Sequence, residues 1–224
     1  MVLDRVSYRK LAVTPRDDWY VGLDIGQAVD PSAVAVVNHK ITAGEWKCDD
    51  SRQQWRQDKT ERFLVRHLER LPLQMPYPEQ IQHVANLLSR DPLRGATFAL
   101  DFTGCGRPVA DSFERAGLRP NNILITAGND VTRAGPNTWH VPKLHLVSGL
   151  ESRMHSKELL IAPKLQESPV LKDELRDFAR KVGESGRVTY NARSGRHDDL
   201  ILALCIAVFM PTIRGGSGSE PLII

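Results

Sequence analysis

The chain is poor in cysteine. Its three thiols, Cys48, Cys105 and Cys205, lie far apart, with no Cys-x-x-Cys pair and no histidine beside them, so neither a disulfide framework nor a zinc site is indicated. Long apolar runs are equally scarce. Nothing approaches the roughly 20 residues that a membrane-spanning helix requires, and the opening MVLDRVSYRK has no apolar region of signal-peptide type. The expectation is a cytoplasmic protein without membrane contact. Charge of one sign is also lacking: a net charge of +3 permits nucleic-acid binding without demanding it. There is no G-x-x-x-x-G-K-[ST] phosphate loop and no Gly-Lys dipeptide anywhere, which excludes a P-loop ATPase motor. No internal repeat, zinc finger or recognition helix is visible, so nothing points to base-specific reading.

What is present fits one α/β domain: 224 residues, 41% hydrophobic and 25% charged. Residues 1–18 are polar and read as an N-terminal arm, residues 19–210 as the folded domain, and the GGSGSEPLII stretch within 211–224 as a flexible tail. Residues 19–25 read as a strand ending in Asp24-Ile25-Gly26. Asp30-Pro31-Ser32 supplies turn chemistry, and the apolar run 33–37 follows as an antiparallel partner. A third strand is expected over 63–67. Helical spacing begins at Tyr77 and takes in Ile81, Val84, Ala85 and Leu88, with Pro78 tolerated in the first turn. Residues 96–100 form a short strand closed by Asp101. A Gly104/Gly106 loop follows, then a helix over 108–116 stopped by Gly117. Further on, 122–126 reads as a strand, Pro142 opens a helix with Leu144, Val147 and Met154 on one side, and 159–161 is a short edge strand. Leu171, Leu175, Phe178 and Val182 predict an amphipathic helix from Ser168 to Gly183. Residues 200–210 are apolar nearly all round, the mark of a buried helix.

Three acidic positions stand out because each terminates an apolar element. Asp24 and Asp101 end strands, and Asp198-Asp199 opens the buried helix, where the helix dipole favours negative charge. An Asp at a strand end or before a helix is often only a turn former or a cap. The ordered set is more specific: Asp-x-Gly, then Asp-x-x-Gly-x-Gly, then Arg-His-Asp-Asp before an all-apolar helix. Such acids, if convergent, repel one another. Mg²⁺ or Mn²⁺ relieves that repulsion through hard oxygen ligands, and two ions about 4 Å apart can hydrolyse a phosphodiester.

The run Tyr20-Val21-Gly22-Leu23-Asp24-Ile25-Gly26, Asp101 with its glycines, Val141-Pro142-Lys143, and Gly195-Arg196-His197-Asp198-Asp199-Leu200 together resemble the nuclease domain of phage large terminases over about residues 19–210. The resemblance implies a ribonuclease H-like α/β fold: a central mixed sheet of three antiparallel strands plus parallel strands, with helices on both faces. It also implies two-metal cutting of double-stranded phage DNA during genome packaging. Asp24, Asp101 and an acid of the Asp198/Asp199 pair would hold two divalent cations, Mg²⁺ or Mn²⁺. The implied partners are an ATPase motor, a small terminase subunit and a portal. Lacking the phosphate loop, the chain corresponds to the cutting half, either as part of a longer protein or as a separately encoded nuclease.

His197 is read as a helper beside the acids, in phosphate binding, proton transfer, metal ligation or capping. Lys143 either meets a phosphate from the start of its helix or is simply solvated, and Asp111 is read as a surface charge. Arg187, Arg193 and Arg196 lie just ahead of Asp198, where a loop or hairpin built on residues 188–190 would lay them along DNA phosphates. A second basic cluster, Arg52, Arg56, Lys59, Arg62, Arg66 and Arg70 around Trp55, is interleaved with Asp58, Glu61 and Glu69 and reads as a solvated face. Three alternatives stay open, one of them a non-catalytic scaffold that keeps the fold without metal affinity. A Holliday-junction resolvase of the same fold shares the acidic site. In an actin-like or sugar-kinase nucleotide-binding protein, Asp24-Ile25-Gly26 and residues 101–106 would be phosphate loops, but such a protein leaves His197-Asp198-Asp199 without a function.

Overall fold

Among the described residues, more lie in strands than in helices. A computed structural model describes residues 9–26, 30–103, 106–182, 188–192 and 198–214. The elements run β1 (Arg9–Leu11), β2 (Arg16–Asp24), β3 (Ala33–Asp49), β4 (Gln54–Arg70), α1 (Tyr77–Leu88), β5 (Thr97–Asp101), α2 (Gly106–Arg115), β6 (Asn121–Thr126), β7 (Thr132–Gly135), β8 (Thr138–Pro142), α3 (Lys143–His155), β9 (Leu159–Ile161), α4 (Ser168–Asp177), β10 (Phe178–Val182), β11 (Val188–Ala192) and α5 (Asp199–Arg214). Among the described residues, one sheet has nine strands in the order β1-β4-β3-β2-β5-β6-β8-β7, with β9 also on β4; β10 and β11 form a separate antiparallel pair. β2, β3 and β4 are mutually antiparallel, while β5, β6 and β8 continue the sheet parallel to β2. This is the mixed sheet that the resemblance implied, with helices on both faces.

Side-chain alternation along the central strands divides the core in two. Val21, Leu23, Val34, Val36, Phe98 and Leu100 face one way, against Ile81 and Val84 of α1 and Val109 and Phe113 of α2. Tyr20, Ala33, Ala35, Val37 and Ala99 face the other way, against α5, with α3 and α4 beside it. α5 is buried along residues 199–208, as its all-apolar sequence predicts. It approaches the sheet closely because small residues line its path. Ala35, Gly22 and Ala99 sit side by side on β3, β2 and β5, and a Cβ on Gly22 would stand 2.1 Å from the Ala203 carbonyl oxygen and 2.8 Å from the Ala207 nitrogen. Glycine at 22 is therefore a packing requirement of α5.

Several expectations need correction. The supposed arm, residues 1–18, includes β1, which pairs with β4, and the first three residues of β2. The third strand, expected over 63–67, is 17 residues long, as is β3. Beyond the sheet the two continue as a ribbon held by cross-strand pairing and ion pairs such as Lys47–Asp58 at 2.6 Å. An exposed ribbon has no buried face to impose apolar alternation, so the periodicity was silent. The β7–β8 hairpin was missed for a similar reason: only Val141 and Pro142 of its nine strand residues are buried. In α3 the inward residues are Leu146, Val147 and Leu150, while Leu144 and Met154 are exposed. α4 stops at Asp177; residues 178–182 leave the helix for β10 because β11 offers a backbone partner. α5 runs on through Pro211 to Arg214, past the expected boundary at 210. Among the described residues, no helix is long and apolar enough to cross a membrane.

Candidate functional site

Register places the acids before any side-chain distance is considered. Asp24 pairs with Ala33 across β2–β3, and Ala33 pairs with Arg70 across β3–β4. Asp101 follows Leu100, the partner of Leu23, and so flanks Asp24 on the other side. Alternation turns Asp24 and Ala33 to the α5 face, as it does Asp101, two residues beyond Ala99. The row Arg70–Ala33–Asp24–Asp101 thus lies at one end of the sheet, and α5 brings Asp198 and Asp199 to it with its N-terminus. The Asp198 carbonyl accepts from the Leu202 N–H at 2.9 Å, which makes Asp198 the capping position and Asp199 the first helical residue.

Asp24 is 8% exposed. Burial, reinforced by the charges of Asp101, Asp199 and Asp198, holds its carboxyl well above the usual range, with Lys143 opposing. Burial also raises Asp101, against hydrogen bonds from the Thr103 side chain and backbone and the charge of Lys143. The Thr103 N–H donates to Asp101 Oδ1 at 2.7 Å, while Thr103 Oγ1 accepts from the Ile125 N–H at 2.8 Å. Thr103 thereby ties the Asp101 carboxylate to β6. The loop after Asp24 is braced likewise. The Gly26 N–H donates to Ser32 Oγ at 2.9 Å, and Ser32 Oγ donates to Gln80 Oε1 at 2.8 Å.

Lys143, at the start of α3, points inward: its Nζ donates to Asp198 Oδ2 at 3.0 Å. Asp199 is 6% exposed, and its Oδ2 lies 3.8 Å from Arg70 Nη2. Arg70 also donates through Nη2 to Glu174 Oε1, and Glu174 Oε2 accepts the Ile201 N–H at 3.1 Å. Burial pushes Glu174 up to about 7 despite Arg70 and that backbone donor. Arg70, read from sequence as part of a solvated cluster, is instead the cationic end of the acid row. Thr103 and Glu174 were missed. Glu174 did leave a signal, for it lies three residues after Leu171 and one before Leu175, on the apolar stripe of α4.

Among the described residues, no three His, Cys, Asp or Glu side chains form a ready cage for an ion. The donor set nonetheless fits a hard divalent cation: it is all carboxylate oxygen, and Asp24 is buried among three further acids.

No protein-family model matches the chain, and no curated protein does. Solved structures do. The large terminase nuclease from thermophilic phage G20c, with bound magnesium, superposes with a TM-score of 0.58 at 19% identity, covering 88% of this chain and 83% of that one. The Thermus phage P74-26 large terminase nuclease domain gives 0.57 at 18%, covering 91% and 84%. The bacteriophage SPP1 large terminase nuclease domain, with bound manganese, gives 0.52 at 13%, covering 88% and 87%. The chain has the large terminase nuclease fold. Its mixed α/β architecture is the ribonuclease H-like one that the resemblance implied.

Within this terminase-type fold, Asp24, Asp101 and the adjacent Asp198 and Asp199 come from three elements, β2, β5 and α5, to one end of the sheet, and Lys143 joins them. Asp111, on α2, is exposed. His197, Arg187, Arg193 and Arg196 lie outside the described residues; the strand expected over 188–190 is β11.

Proposed function

We propose that this chain is a divalent-metal-dependent DNA endonuclease, the cutting component of a phage genome-packaging machine. The observation that carries this reading is the convergence of Asp24 and Asp101 with Asp198 and Asp199 at the N-terminus of a buried helix, in a fold shared with terminase nucleases. Asp24 and Asp101, with one or both acids of the pair, would hold two cations, Mg²⁺ or Mn²⁺; the G20c and SPP1 domains were solved with magnesium and manganese. When bound, the ions would supply Lewis-acid activation of water and stabilisation of the leaving 3′ oxygen.

The remaining roles belong to the protein. β2 and β5 present Asp24 and Asp101 from rigid strand ends, and Thr103 orients the second carboxylate. Lys143, released from Asp198, would reach a DNA phosphate oxygen, with Arg187, Arg193 and Arg196 binding phosphates farther along. His197 is assigned a supporting part beside the acids. Double-stranded DNA is the proposed substrate, with an ATPase motor, a small terminase subunit and a portal as proposed partners.

The test is cleavage of supercoiled plasmid with Mn²⁺ or Mg²⁺, beside Asp24→Asn and Asp101→Asn. Metal-dependent cutting lost in both variants supports the reading. Resolution of four-way junctions with intact plasmid would shift it to a resolvase, and ATP turnover without cleavage would defeat it.

A further inference from the structure

The helix that delivers Asp198 and Asp199 must be fixed along its axis as well as against the sheet, and Lys143 holds its capping residue, Asp198, at 3.0 Å. Its contact with the sheet is apolar, made through Ala203 and Ala207 over Gly22. Its first turn also carries amide groups without intrahelical acceptors. Ile201 is fully buried, so water cannot serve its N–H, and an unpaired buried amide is costly.

One side chain meets both needs. Glu174 reaches from α4 to accept the Ile201 N–H at 3.1 Å. Its other oxygen is held by Arg70, whose Nη2 also stands 3.8 Å from Asp199 Oδ2. Arg70 is in turn fixed by the sheet, being the partner of Ala33, which is the partner of Asp24. A continuous path therefore runs from Asp24 through the β-ladder to Arg70, then to Glu174 and the first turn of α5.

We infer that Arg70 and Glu174 are positioning residues that lock the first turn of α5, and Asp199 with it, at a set height above Asp24 and Asp101. The inference rests on reading that site as a metal centre. Neither residue is assigned as a ligand. The pair also ties α4 to α5, through Glu174 and the Ile201 N–H.

The sign of an arginine substitution separates anchoring from simple charge. Removing a bystander cation leaves the acids more negative and tightens divalent-cation binding; removing an anchor loosens it. Arg70→Met and Glu174→Gln are therefore titrated with Mn²⁺ calorimetrically in the full chain, with Arg70→Lys as the conservative control. Glutamine keeps an acceptor for the Ile201 N–H but lacks the charge that holds Arg70. The expected result is at least tenfold weaker Mn²⁺ binding in both, partial recovery in Arg70→Lys because an ammonium lacks the guanidinium fork, and faster amide hydrogen exchange in residues 199–204. Unchanged or tighter Mn²⁺ binding in folded Arg70→Met and Glu174→Gln overturns the inference. Wild-type protein that binds no Mn²⁺ would defeat the nuclease reading instead. The anchor is then judged by exchange alone, where wild-type protection of residues 199–204 in both variants would refute it.

Discussion

Adding one methyl group at Gly22 should loosen the site without touching any acid. A Cβ there would stand 2.1 Å from the Ala203 carbonyl oxygen, whereas ordinary contact begins at 3.4 Å. The shortfall, 3.4 minus 2.1, is about 1.3 Å, and the obstruction is backbone, so no rotamer change relieves it. α5 must retreat, and Asp198 and Asp199 retreat with it. Overpacking of this kind costs about 3 kcal/mol at the upper end of its usual range, which for a domain of this size lowers Tm by roughly 6–12 °C. The assay is thermal unfolding of Gly22→Ala beside a Mn²⁺ titration, expected to show both the lower Tm and weaker binding. Ala203→Gly in the same chain should give no rescue, because the opposing atom is a carbonyl oxygen that glycine retains. A Tm within a degree or two of wild type with unchanged Mn²⁺ affinity, or rescue by Ala203→Gly, would refute the argument that helix approach sets the site.

Other outcomes follow from the electrostatics. Asp24→Asn should abolish cleavage yet stabilise the metal-free protein, since it removes a buried carboxylate crowded by three others. Because the folded state raises the Asp24 pKa, protonation favours folding: the stabilisation is present below the ordinary value of 3.8 and is lost as pH rises toward the raised value. Metal-free wild type should thus lose more Tm than Asp24→Asn as pH climbs through that window, and equal slopes would contradict it. Glu61 has the opposite sign. A hydrogen bond with His39 at 2.9 Å, helped by Lys59, holds its pKa down at about 2, so its contribution is present above 4.5 and lost as pH falls through about 2. Glu61→Gln should cost about 2 kcal/mol at neutral pH by denaturant titration; a loss below about 0.5 kcal/mol would show the pair to be inconsequential. Thr103→Val removes a donor to Asp101 and the acceptor for the Ile125 N–H. About 1 kcal/mol of stability should be lost and Mn²⁺ binding should weaken several-fold; an unaltered titration would dismiss Thr103 as an orienting group.

Much of the site could be read along the chain because strand ends and helix starts are local events. Asp24 closes an apolar strand, Asp101 closes another, and Asp198-Asp199 precedes a run with no polar residue until Thr212. Each pattern reports burial of the element behind it, and the order of the three carried the resemblance. The alternation that places Tyr20, Ala33 and Ala99 on one face and Leu23, Val34 and Leu100 on the other was likewise present in the residues. Tertiary structure decided what depends on neighbours distant in sequence. Residues 178–182 satisfy a helical spacing and a strand equally, and pairing with β11 chose the strand. Arg70 looked like one more charge in a basic cluster, until the ladder set it in the row of Asp24 and Glu174 reached it from 104 positions away. Gly22 read as part of a motif, while the reason for glycine lay in the backbone of α5. A sequence records how each element is buried; how closely two elements approach, and which charges then meet, is fixed only when they pack.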